Sequence, residues 1–265
     1  MTVIFCIIVN VTSAGGCRNT KTIIVDSHSE VLPYWFKEYL KRKLPLVVVR
    51  IDRHHDMNHE SPALPAREGR PIFEYLSKIM PYLLEYAKRE LNEGNFTCPA
   101  FHYGIIGAMY HFNPREKKID AYGRVSGTKF INVPKTRKEP VQIGGKRGYR
   151  IVWDDTLTKL KIRGGKLTPA PQSITVDEFG KDLGKSCFPA VIGFDLDGLY
   201  GIGDENPIED TVARRIEKVK CVLEHVSSPL FTCIARSQTP RAYVPPETVD
   251  CLQKRALDLI KMIYI

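Results

Sequence analysis

The chain has 265 residues, 43% of them hydrophobic and 26% charged, which fits one large α/β domain or two small ones with a sizeable core. Its seven cysteines stand singly, with no C-x-x-C pair and an odd total, which indicates neither a disulfide framework nor a thiolate zinc site and fits the reduced cytoplasm. The net charge of +9 is uneven, because residues 115–166 hold fifteen Lys or Arg against five Asp or Glu. That stretch reads first as a solvated insertion and second as a basic surface able to attract nucleic acid or an acidic partner; no nucleic-acid motif accompanies it.

Residues 1–10, MTVIFCIIVN, are apolar but too few to span a bilayer, and no basic residue opens them as in a secretory signal. They read as an extra strand or an extension from an earlier start codon. TSAGGC, which follows, is only loosely like a lipoprotein cleavage site. Residues 1–19 are therefore treated as an N-terminal extension peripheral to function, and 20–265 as a single domain.

The run Thr22 to Val25 predicts a short buried strand, followed after Ser29 by a helix with Val31, Trp35, Tyr39 and Leu40 on one face. Leu46 to Ile51 is β-branched and rich in valine, as in a strand covered on both faces of a parallel sheet. A helical pattern covers Phe73 to Leu91, with Pro81 expected to kink or break it. Asn95 to Pro99 and Ile105 to Phe112 predict further core. From Pro114 to about Leu183 the pattern degrades into Gly, Pro, Lys and Arg, the mark of an antiparallel hairpin excursion. Order returns with a strand at Ala190 to Leu196, a helix from Ile208 to Val226, a strand from Leu230 to Ala235 and a terminal helix from Glu247. This alternation implies an α/β fold with a mostly parallel sheet and helices on both faces. No GxxxxGK or GxGxxG phosphate cradle is present.

Side chains just past the carboxyl ends of parallel strands converge on one crevice. Two such ends are acidic. In RIDRHHDM, Asp52, His54 and Asp56 alternate and are expected to face one side; in GFDLDGLYG, Asp195 and Asp197 do the same, with Leu196 turned into apolar packing. Four carboxylates in one crevice repel unless cations neutralise them. Oxygen-rich ligands with a minority of imidazole favour a hard or intermediate ion such as Mn(II), and two such ions can share an activated water. The spacing favours His54 over His55 as ligand, and His28 offers another imidazole or else caps the helix that begins nearby.

These residues resemble the arginase and agmatinase family. DRHHD at Asp52 to Asp56 is similar to its D-A-H-x-D signature, FDLDGL at Phe194 to Leu199 to F-D-V-D-G-L, and His28-Ser29 to the His-Ser pair that ends the first signature. DSHSEVLPYW, LVVVRIDRHHD and NFTCPAFHYGIIGAMY further resemble a branch that includes peptide arginases, which convert peptide-bound arginine to ornithine. The resemblance implies a three-layer α/β/α arginase-like fold with two divalent ions, His28 and Asp56 on one, His54 and Asp197 on the other, and Asp52 and Asp195 bridging. It also implies urea release from a guanidinium. The sequence departs from the family in having Val25 and Asp26 for two glycines, Tyr200-Gly201 for Asp-Pro, and Arg236, Ser237 and Gln238 where a glutamate meets the guanidinium.

Residues considered for completing the site are Glu30, as acceptor of a guanidinium or on a solvated helix face; His102, as proton shuttle or core histidine; and Asn95 and Ser237, as substrate-orienting or backbone-capping groups. The leading expectation is a metal-dependent hydrolase of a linear C–N bond in an arginine-containing peptide. The alternatives are an arginase-fold amide hydrolase or deacetylase, and a nucleic-acid-binding module with a structural metal site.

Overall fold

Five apolar runs lie side by side as parallel strands, in the spatial order Lys21–Val25, Phe231–Ala235, Ala190–Asp195, Leu46–Ile51 and Ile106–Phe112. The computed structural model that shows this describes residues 7–9, 20–58, 60–65, 69–143, 146–204, 207–239 and 241–264. The antiparallel strand Ile7–Val9 extends one edge of the sheet, and Ile119–Tyr122 and Gln172–Ile174 extend the other. Of the N-terminal extension only 7–9 is described, and there it pairs with Lys21–Val25 as an extra strand; the stretch TSAGGC lies outside the described residues.

Alternate residues of the buried strands feed two cores. Val48, Val191 and Cys233 pack with Leu32, Trp35, Leu76 and Leu83, the apolar sides of helices Leu32–Arg42 and Ile72–Arg89. Val47, Val49, Ile192 and Ile234 face the other way, onto helices Val176–Gly184, Ile208–Leu223 and Val249–Tyr264. The period of two along each strand thus produces helix layers on both faces, as expected for a parallel sheet. Among the described residues no helix is long and apolar enough to cross a membrane.

The break expected as one alternative at Pro81 does not occur. Helix Ile72–Arg89 runs through Pro81 without interruption. Pro81 lies on the exposed side, away from the face carried by Ile79 and Leu83. The excursion from Pro114 to Leu183 is attached through the central sheet, by Ile119–Tyr122 and Gln172–Ile174, and ends in the capped helix Val176–Gly184. Between these, hairpins project as expected. Thr136–Ile143 pairs with Lys146–Trp153, which also holds Glu60–Pro62, and Leu160–Arg163 pairs with Lys166–Pro169.

Candidate metal centre

The strand register brings the acidic ends together. Val25, Ala235 and Asp195 stand level across three strands, and Phe194 lies beside Ile51. Asp52 directly follows Ile51, and His28 lies in the one-turn helix His28–Val31 just after Lys21–Val25. All these side chains therefore meet at the carboxyl ends of adjacent parallel strands.

Two ligand sets result, His28 with Asp52 and Asp56, and Asp52 with His54 and Asp197, each with donor atoms within 4.8 Å of one another. Asp52 belongs to both. His28 Nδ1 is 3.1 Å from Asp52 Oδ2, 3.4 Å from Asp195 Oδ2 and 4.0 Å from Asp56 Oδ2. His54 Nδ1 is 2.7 Å from Asp197 Oδ2. Imidazole and carboxylate donors at this spacing, buried apart from the exposed His54, fit a divalent cation of the intermediate or hard class.

Second contacts orient the donors. The His54 backbone N–H donates to Asp52 Oδ1 at 2.6 Å, the Asp197 N–H to Asp195 Oδ1 at 3.1 Å and the Arg53 N–H to Asp197 Oδ1 at 3.2 Å. The Asp195 hydrogen bond caps the short helix Leu196–Leu199, and Leu196 is buried in the core beneath, as expected. Gly198 permits the close approach of the two motifs, since a Cβ there would stand 3.3 Å from Asp52 backbone atoms. The backbone at Asp56 is left-handed, with φ +48°, so D-x-H-x-D curls, with Asp56 turned to His28 and His54 turned to Asp197.

Arg50 is an addition that the motifs do not include. Fully buried, it places Nη2 2.6 Å from Asp56 Oδ2 and 3.0 Å from His28 Nδ1, with Asp52 Oδ2 as a third partner. A lone arginine in the run LVVVRI was the available signal, because a buried charge needs a partner. Burial works to raise the Asp52 carboxyl, but the Arg50 charge holds it below the usual carboxylate range. Asp56 is pushed up to about 6 by burial and the charge of Asp52, with Arg50 opposing. Asp197 is raised to about 7 by burial and the charges of Asp195 and Asp52. His54 is raised to about 9, chiefly by its hydrogen bond to Asp197. For His28, burial and Arg50 are outweighed by the hydrogen bonds to Asp195 and Asp52, and it also reaches about 9. Without metal the centre thus holds cations of its own, a guanidinium and protons on imidazoles.

His55 faces away from the ligand sets: its Nδ1 is 2.7 Å from the Tyr122 hydroxyl, its Nε2 is 3.6 Å from Asp120, and its ring stacks on His111 at 3.8 Å. Ser237, at φ +55°, donates its hydroxyl to Asp195 Oδ1 and lines the cavity. Glu30 is buried, not on a solvated face, and accepts from the Ser27 N–H at 3.1 Å in a capping box. Asn95 accepts from the Asn92 N–H at 3.0 Å, closing a local turn. His102 is outside the cleft: its Nδ1 is 2.8 Å from Thr136 Oγ1, and burial with nearby Lys138 lowers it to about 4.

Three residues missed in the sequence complete the cavity walls, Glu93, Thr239 and Tyr243. The Tyr243 ring lies 5.1 Å from that of His54, and its hydroxyl donates to Glu93 Oε1 at 2.7 Å. Outside this cavity opens a cleft of about 670 Å³, whose lining includes the basic Arg53, Arg163, Lys166 and Arg241 and the acidic Asp56, Glu93 and Glu116. No protein-family model matches the chain, and no curated protein matches its sequence.

Proposed function

We propose that the protein is a metal-dependent hydrolase of the arginase-like type that releases urea from an arginine side chain in a peptide. The observation that carries this reading is the pair of His/Asp sets sharing Asp52 at the carboxyl ends of parallel strands. When bound there, divalent ions, with Mn(II) the expected metal, lower the pKa of a water toward neutrality and polarise the group it attacks. In the balanced reaction, water's oxygen joins the guanidinium carbon and the bond from that carbon to the chain nitrogen breaks. Both water protons leave with that nitrogen, giving an ornithine ammonium and neutral urea.

The protein's own groups support this chemistry. Asp195 is fixed by Ser237 and the Asp197 N–H, and Asp197 by His54 and the Arg53 N–H, so the donors are pre-oriented. The cleft outside is large enough for a peptide side chain with its flanking residues. Its basic lining residues suit a peptide with acidic residues around the arginine and disfavour free arginine, which is a small cation with its own ammonium.

The test is urea formation by Mn(II)-loaded protein across arginine peptides and free guanidino compounds, with Asp52→Ala as blank. Urea and ornithine from a peptide, formed faster than from free arginine, is the expected outcome. Hydrolysis of an acetylated amine or other amide with no urea above the blank would replace this reading with an amide hydrolase.

A further inference from the structure

The metal centre by itself explains hydrolysis but not recognition of a cation. At the strand end after Ala235, Arg236 pairs with Asp250 at 2.8 Å and Ser237 is committed to Asp195. No carboxylate stands at 236–238. Glu93 comes from a different part of the chain, in the turn between helices Ile72–Arg89 and Thr97–His102. It lines both the inner cavity, with His54 and Asp56, and the outer cleft. It is therefore among the residues shared by the cavity and the cleft, with His54, Asp56 and Tyr243.

The two oxygens of Glu93 differ. Oε1 accepts from the Tyr243 hydroxyl at 2.7 Å, whereas Oε2 is buried and has no hydrogen-bond partner among the described residues. A buried carboxylate oxygen left without a donor is costly, and a cationic donor relieves that cost best. The neighbouring surface already accommodates a guanidinium: Arg241 lies over the Tyr243 ring at 4.6 Å, a favourable cation–π geometry.

We propose that Glu93 is the binding residue for the cationic end of the substrate, with Oε2 receiving the guanidinium of a peptide arginine while Tyr243 holds Oε1. The identity of that cation as arginine rests on the hydrolase reading; the preference of the cleft for a cationic side chain does not. Glu93 thereby takes the part of the acid absent after Ala235, from the opposite side of the cavity opening.

The experiment separates the two. Mn(II)-loaded wild type, Glu93→Gln and Glu93→Asp are titrated with a pair of inert peptides that differ only in lysine against norleucine, and KM is measured for the arginine peptide. Gln keeps an acceptor for Tyr243, and manganese content and thermal unfolding are followed in parallel. Expected is a wild-type preference for the lysine peptide of about 10- to 100-fold, the range of a charged hydrogen bond. Glu93→Gln should erase it and raise KM by a similar factor with manganese content unchanged, and Glu93→Asp should retain part of it. Equal binding of the two peptides by wild type, or a preference that survives in Glu93→Gln, overturns the proposal. So does urea formation whose KM does not move in Glu93→Gln, which leaves the hydrolase reading intact. A preference lost in Glu93→Gln with no urea from any variant upholds the cation site and removes the urea-releasing activity.

Discussion

Arg50 Nη2 and Asp56 Oδ2 stand 2.6 Å apart inside the ligand set, so a fixed guanidinium lies where three acidic or imidazole donors converge. Removing that charge leaves buried carboxylates uncompensated. Arg50→Met should destabilise the metal-free protein by roughly 3–5 kcal/mol, the usual cost of breaking a buried pair. Added Mn(II) should recover more stability in the variant than in wild type, because the ion replaces the missing charge. Thermal unfolding with chelator and with Mn(II) measures both, and equal metal-induced shifts in the two proteins would argue against a shared role.

Asp52 donates to both ligand sets. Asp52→Ala should therefore lose metal from the whole centre, while Asp197→Ala should retain the ion held by His28, Asp52 and Asp56. Elemental analysis after purification without chelator reads the stoichiometry. Undiminished metal in Asp52→Ala is the result this assignment does not survive.

Gly193 lies under His28 and Arg50, and a Cβ there would come within 3.0 Å of His28 Nε2. The imidazole is buried and would have to shift by a few tenths of an ångström. Gly193→Ala should cost about 1–3 kcal/mol by overpacking and weaken metal binding, seen as a raised Kd for Mn(II) in calorimetry. Wild-type affinity would mean that His28 does not report on the ion.

How much of this centre could be read from the chain depends on distance along it. Asp52, Asp195 and Asp197 were legible because each follows an apolar run whose end is fixed by the sheet. Glu93 and Tyr243 were not, since 150 positions separate them and only tertiary packing joins them. For His102 the apolar stretch around it indicated the core alternative, but not that it packs toward Thr136 on the hairpin. Ile119–Tyr122 and Gln172–Ile174 were hidden as sheet strands because four- and three-residue pieces carry little periodicity.

His102 offers a test by pH. Burial and Lys138 depress it to about 4 from an ordinary 6.5. Between those values the unfolded chain binds the proton more readily, so stability rises with pH there and is lost as pH falls from about 6.5 to about 4. His102→Asn should flatten that part of the stability profile in chemical denaturation without altering metal content. An unchanged slope would assign the acid sensitivity elsewhere.

The basic residues of the cleft predict salt dependence. Arg163 and Lys166 line the cleft, so acidic-flanked arginine peptides should lose several-fold in kcat/KM relative to uncharged ones as ionic strength rises. Arg163→Glu with Lys166→Glu should remove the preference at low salt. A preference unaffected by both changes places it away from these residues.

The left-handed backbone of Asp56, with its carbonyl oxygen held by the Thr97 hydroxyl, has a consequence for how this site can be silenced. Asparagine and glycine tolerate that conformation, whereas alanine is strained there by about 1–2 kcal/mol. A descendant carrying Asp56→Asn would keep the curl of the loop while lacking the charge; one carrying Asp56→Ala would disturb both at once. Among any inactive offshoots of such a lineage, substitutions at this position should therefore be narrow in kind, and asparagine is the instrument for separating ligand from scaffold.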